Sequence, residues 1–398
     1  MMPLRLVELF GPLQGRILNT VAQRRNRHNL YVICDDGPFQ CTLSHRPTMV
    51  PARKFIGSSY LSSLMDDNLS MEPLQLNVAS HSKDNVARFQ AASLWKARWQ
   101  VINSFVPYAL LWFAMDRALA VSYWLMLPIS ILAAGFLVRI FIIFHDCGHG
   151  SFFKSKRAND ATGAIAGLLL LTPYRHWRWQ HALHHGTAGD LDRRGSGDIW
   201  TLTVKEYLQS TRLRRFAYRL ARNPIVLLVL APLYLFVVDH RFAVSTASVR
   251  ERQSVHRTNW VLFGATLLMC AIIGLKAFLL IQLTVYAFAG ALGVWLFYVQ
   301  HQFDGAYWAR SEDWNYTAAA LQGSSFYKLP RILQWFTGNI GFHHIHHLSP
   351  RIPNYHLQQC HEADPFFNTI KPVTLLASLK CLTFRLWDEQ RNVFVGFR

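Results

Sequence analysis

Nine of the eighteen histidines fall at spacings that suit metal binding. His145 and His149 stand four residues apart, and positions i and i+4 share one face of a helix. His181, His184 and His185 form an i, i+3, i+4 set, and His343, His346 and His347 repeat it. His301 closes an apolar stretch. A lone histidine is more often a satisfied core or surface residue than a ligand. Eight in three helix-compatible sets are a different case. A structural zinc site closes with four ligands, so eight or nine imidazoles imply two metal ions. Imidazole suits iron, copper, zinc and nickel alike, so the count does not name the metal.

The other histidines lie outside the pattern. His344, one residue past His343, points about 100° around a helix and is excluded as a ligand. His176 precedes His181 by five residues, which suits a supporting or surface place. His356 and His361 follow Pro350 and Pro353 and are out of register. His28, His45, His81, His240 and His256 read as surface residues. A metal-bound imidazole usually donates its other ring N–H to an acceptor. Asp146, Asp190 and Asp304 are the carboxylates nearest in sequence to a histidine set.

The elements that must position these groups read as membrane helices. The chain has 398 residues, of which 51% are hydrophobic, 14% aromatic and only 16% charged. Soluble domains carry about 25% charged residues. The apolar runs Val101–Ala114 and Val121–Phe144 form a hairpin broken at Asp116 and Arg117, with Arg139 near the end of the second. The runs Ile225–Val238, Asn259–Leu275 and Ala277–Val299 follow. Four spans are expected, near residues 101–119, 121–144, 259–275 and 277–299. Parity demotes Ile225–Val238 to an interfacial or re-entrant segment: it is short, contains Pro232, and as a crossing would separate the late histidines from the early ones. The expected fold is therefore all-α, a polytopic membrane protein with four transmembrane helices and a cytoplasmic, histidine-rich helical cap.

Lys and Arg outnumber Asp and Glu by 41 to 23, a net charge of +18. The excess crowds loops beside apolar runs, notably Arg212, Arg214, Arg215, Arg219 and Arg222. That suits cytoplasmic loops and anionic lipid, and no nucleic-acid motif accompanies it. Cys34, Cys41, Cys147, Cys270, Cys360 and Cys381 form no CxxC pair and read as free thiols of a reducing compartment. Only Cys147, between two histidines, stands out. Residues 1–90 hold no stretch able to cross a bilayer and no signal-peptide layout. Arg24–Arg53 is polar and turn-rich, and Met65 and Met71 offer later starts. The expectation there is a disordered or spurious extension, with the functional domain at 91–398.

The three histidine sets, read as HxxxH, HxxHH and HxxHH in order, resemble the boxes of the membrane fatty acid desaturases. The similarity runs from about Trp95 to Phe397. It is closest at His181–Tyr207 (HALHHGTAGDLDRRGSGDIWTLTVKEY) and Ser325–Tyr355 (SFYKLPRILQWFTGNIGFHHIHHLSPRIPNY). It is similar above all to the bacterial acyl-lipid branch that includes the Δ12, or omega-6, enzymes. The resemblance implies two ferrous ions held by the box histidines, with His301 as the additional ligand between the second and third boxes. It implies dioxygen and two electrons as co-reactants, an external ferredoxin or cytochrome as donor, and lipid acyl chains as substrate. It also implies an integral membrane protein, in the inner membrane of a bacterium, with its metal site facing the cytoplasm. Front-end desaturases usually begin the third box with Gln and carry a fused cytochrome b5. Here His343 stands first and no HPGG is present, which argues against that subclass.

An unactivated methylene carries no acidic proton, so side-chain acid–base catalysis cannot break its C–H bond, and redox metal chemistry must. Two competing readings share some of these features. A carotenoid hydroxylase or ketolase, or an alkane hydroxylase, would use similar clusters; the product, a hydroxyl or ketone in place of a double bond, separates them. A metal transporter would place its site near the midplane of the spans, whereas these clusters sit at span ends and in loops.

Overall fold

The structure, a computed structural model, describes residues 86–398 except Ser196 and Arg398. The expected extension lies outside the described residues up to position 85, and with it His28, His45, His81, Cys34 and Cys41. Residues 86–90 are described and belong to the helical body: Gln90 Nε2 donates to Ser349 Oγ at 3.0 Å.

Apolar length and polar caps set the helices. Helix α1 (Leu94–Val121) starts where Ser93 accepts the Lys96 N–H. It ends at Ser122, whose hydroxyl then caps α2 (Tyr123–His149) by accepting the Trp124 N–H. The two pack as a hairpin. Helix α3 (Lys156–Leu169) lies on α2, and α4 (Tyr174–Thr187) follows a short turn. After strand β1 (Leu202–Thr203) come the basic helix α5 (Arg212–Ala221), a π-helical turn at Val226–Leu230 and α6 (Ala231–Val237). A second hairpin joins α7 (Val249–Ile273) to α8 (Leu275–His301) through Gly274, whose φ of 84° suits a residue without a side chain. The remainder is short: α9 (Tyr316–Leu321), β2 (Phe326–Lys328), α10 (Arg331–Phe336), α11 (His343–Leu348), α12 (Asn354–Ala363), β3 (Pro372–Thr374), β4 (Leu386–Asp388) and β5 (Val393–Val395).

Strands β1, β4 and β5 form one small sheet, with β1 parallel and β5 antiparallel to β4; β2 and β3 form a parallel pair. The fold is thus mostly helical, and the all-α expectation lacked these strands. They lie in the polar C-terminal third and at β1, where no period-two run was long enough to read.

Helix α2 runs through the core. Its Ala133, Ala134, Leu137 and Ile140 are fully or almost fully buried together with Met115 of α1 and Ile281 and Val285 of α8. Small residues at such contacts let backbones approach closely. The outer faces carry exposed Ile102, Val106 and Phe113 on α1 and Trp260, Phe263 and Leu267 on α7. Exposed apolar rows of this kind suit contact with lipid.

Among the described residues three helices, α1, α2 and α8, are long and apolar enough to cross a membrane. The count reaches four if α5 and the segment Val226–Arg241, which meet at 66°, are one broken span. Helix α7, the third expected span, has 25 residues, but its first turns carry Arg250, Glu251, Arg252 and Arg257, so only its second half is continuously apolar.

Candidate metal centre

Helix α2 delivers the first pair. Gly150 takes a left-handed C-cap (φ 71°), which ends the helix immediately after His149. Helix α4 delivers His181, His184 and His185 on one face, and Trp177, one turn earlier, stacks on the His181 ring at 4.4 Å and 15°. Gly148 makes room for that indole, since a Cβ there would lie 3.0 Å from Trp177 Cζ3. Helix α8 ends on His301.

The third set sits on a helix of only six residues. The edge of β2 braces the approach to it: Tyr327 N–H donates to Gly341 O at 2.7 Å, and His344 N–H to Ser325 O at 3.3 Å. Gly341 is required by that closeness, because a Cβ would fall 2.3 Å from Tyr327 O.

These elements bring the imidazoles into two adjoining groups. His145, His149, His181, His185 and His346 offer ring nitrogens that all lie within 4.8 Å of one another; His184, His301 and His347 form a second such group. His343 joins the second through an Nε2–Nε2 separation of 3.0 Å to His301. His184 and His301 are 3.2 Å apart by the same atoms, and His185 is 3.1 Å from both His181 and His346. The His185 and His347 rings, 4.2 Å between centroids, join the groups.

The arrangement fits metal ions. Donors about 2.1 Å from one cation and at right angles around it lie roughly 3.0 Å apart, which matches these separations. The buried Nε2 atoms of His149 and His347 have no hydrogen-bond partner among the described residues. Burial, reinforced by neighbouring imidazoles, holds the pKa values of His181, His185, His343, His346 and His347 well below the ordinary imidazole value. All five are therefore neutral at physiological pH, with lone pairs free to coordinate.

Two carboxylates fix ring orientation. Asp146 Oδ1 lies 3.0 Å from His145 Nδ1, while Oδ2 accepts the backbone and side-chain N–H groups of Asn354 at 2.6 and 2.8 Å. Asn354 also accepts from Gln100 and, through its carbonyl, from Asn339. It ties α1, α2 and the segment around the third set into one network. Asp198 Oδ1 lies 2.6 Å from His184 Nδ1. In both pairs the carboxylate accepts Nδ1–H, which turns Nε2 inward.

Several expectations need correcting. Asp190 binds Arg193 and Ser311, and Asp304 pairs with Lys380; neither supports a ring. Asp198 takes the place expected of them. The signal available for it was the pair of glycines just before it, where a Cβ on Gly197 (φ 73°) would lie 3.4 Å from His184 Cβ. His240 is buried rather than superficial, with Nδ1 3.1 Å from Thr172 Oγ1. His176 is buried too, and accepts the Val244 N–H. His344 is fully buried but turned away from both groups, towards His361, with its pKa pushed down to about 3 by burial. Cys147 packs in the apolar core and joins neither group.

A family model described as "Fatty acid desaturase" matches residues 122–369. The chain is 48% identical over 313 residues to a protein of Bacillus subtilis named "Fatty acid desaturase", covering 79% of this chain and 89% of that one. It is 30% identical over 266 residues to an sn-1 acyl-lipid omega-3 desaturase (ferredoxin) of Nostoc, covering 63% and 68% of the two chains. An sn-1 oleoyl-lipid 12-desaturase of Synechocystis matches at 29% over 262 residues, covering 61% and 72%.

Proposed function

Since the chain belongs to the fatty acid desaturase family and is an oxidoreductase, we propose that it forms a cis double bond in the acyl chain of a membrane lipid using two iron ions. His145, His149, His181, His185 and His346 hold one ion; His184, His301, His343 and His347 hold the other. The observation that carries this reading is the convergence of nine histidines in two adjoining groups at the ends of α2 and α8. Relatives named for acyl-lipid substrates and for ferredoxin support the lipid substrate and an external one-electron donor. The Δ12, or omega-6, position follows the same branch.

Bound iron supplies the dioxygen chemistry that an unactivated methylene demands. The chain's own residues do the rest. Asp146 and Asp198 hold His145 and His184 in the tautomer whose Nε2 faces inward. Phe297 flanks His184 and His301 at 5.2 and 5.0 Å between ring centroids, and Trp177 covers His181. These aromatic rings keep bulk water from the imidazoles. In the overall reaction a –CH2–CH2– unit becomes –CH=CH–. Its two hydrogens, with two electrons from the donor and two protons, reduce dioxygen to two waters.

Four crossings suit the geometry. The turns at Ser122 and Gly274 lie at the far ends of α2 and α8 from the histidines. The segment after α5 begins beside Arg222 and ends where Arg241 Nη1 donates to Asn259 Oδ1 of α7 at 2.8 Å, at the start of that helix's apolar half. This supports a re-entrant stretch with both ends towards the metal side, and the basic loops favour the cytoplasm for that side.

Methyl-ester profiling of a host expressing the chain tests the reading. The expected result is a new monounsaturation or diunsaturation product with the added bond at Δ12, absent from hosts carrying His185→Ala or His346→Ala although both variants still insert in the membrane. Retained product in both variants, or a hydroxylated or keto product, contradicts it.

A further inference from the structure

Helix α5 has an apolar stripe left uncovered among the described residues. Leu213, Phe216 and Leu220 recur at i, i+3 and i+7 and are 68%, 64% and 43% exposed. The opposite face is turned inward, where Tyr218 is fully buried and donates to Arg385 O. The stripe therefore points away from the protein body. Arg212 borders it and is exposed, while Arg214 and Arg215 lie farther round, one on either side, and are half-buried. Arg219 is held by Tyr207, its Nε donating to the hydroxyl at 2.6 Å. Arg212, Arg214 and Arg215 have no acidic partner among the described residues.

Contacts at the end of α5 fix its level. Arg222 is almost fully buried, and its Nη2 donates to Tyr298 Oη at 3.3 Å and Gln302 Oε1 at 2.7 Å. The helix thus ends beside the last turn of α8, where that span leaves the lipid. Beyond it the chain bends by 66° into the apolar segment Val226–Arg241, where Pro232 packs on Gly290 of α8. An apolar stripe, flanking cations and a position at the mouth of a span together describe a helix lying in an interface.

We propose that α5 lies along the membrane surface on the metal side, its stripe among the acyl chains, with Arg212, Arg214 and Arg215 docking anionic phospholipid headgroups. The occupant is an anionic lipid rather than a protein because the flanking charges are of one sign and lack internal partners, on a chain of net charge +18. The proposal goes beyond desaturation and holds whatever product the enzyme makes.

The test uses the full chain with Phe216→p-benzoylphenylalanine, reconstituted in vesicles of equimolar phosphatidylcholine and phosphatidylglycerol and irradiated. Mass spectrometry of the labelled peptide is expected to show lipid adducts, phosphatidylglycerol enriched roughly five-fold or more over phosphatidylcholine. Adding Arg212→Gln, Arg214→Gln and Arg215→Gln should bring the ratio towards parity while lipid adducts persist. If the first variant is not recovered in the membrane, the probe at Leu220 replaces it. Adducts only with protein, from a second copy or from the chain's own N-terminal segment, would overturn the proposal. So would lipid adducts at parity with all the arginines present.

Discussion

At the scale of residues, the histidine groups were legible because a helix converts sequence spacing into shared direction. Neither i, i+4 nor i, i+3, i+4 needs tertiary knowledge. Their supports were not legible, because the acceptor of a ring nitrogen is chosen by the fold. Asp190 and Asp304 are near their histidines in sequence and are engaged elsewhere, whereas Asp198, fourteen residues from His184, is the carboxylate that reaches it. Asn354, which binds Asp146 across 208 residues, had no local signature at all. His240 looked superficial because isolated histidines usually are, and its burial comes from neighbours distant in the chain. The Asp198→Asn variant should fold normally yet bind iron about 10- to 100-fold more weakly, because an amide can present its N–H to His184 Nδ1 and so favour the wrong tautomer. Iron retained after dialysis against a graded chelator series checks this; unchanged retention would remove Asp198 from the account.

At the scale of elements, apolar runs found the hairpins, and the polar beginning of α7 hid inside an otherwise convincing pair. The small strands escaped because two or three residues cannot display an alternation. Packing around the site depends on glycines whose role the sequence did not show. Gly163 of α3 is the sharpest case: a Cβ there would lie 2.3 Å from the Tyr174 ring, whose hydroxyl donates to Cys147 O at 2.6 Å, one turn from the end of α2. Gly163→Ala should therefore destabilise the protein by about 1–3 kcal/mol, although the substitution favours an isolated helix. A thermal melt in detergent measures it. An unchanged or raised midpoint would mean that α3 and α4 are not packed as described.

At the scale of the whole molecule, two hairpins turn at Ser122 and Gly274 and return their histidines to one end. Cysteine-accessibility mapping in intact cells should place residues introduced at Ser122 and Gly274 on the outer face and one at Gly305, just past His301, on the inner face. Labelling of Gly305 and Ser122 from the same side would break the shared-face arrangement. Metal analysis combined with X-ray absorption on anaerobically loaded protein decides whether nine histidines supply two adjoining iron sites. Two irons per chain are expected, with a first coordination sphere of nitrogen and oxygen and no sulfur, falling to one when His301 and His347 are both replaced by alanine. One metal per chain in the unaltered protein, or a sulfur ligand from Cys147, would contradict it.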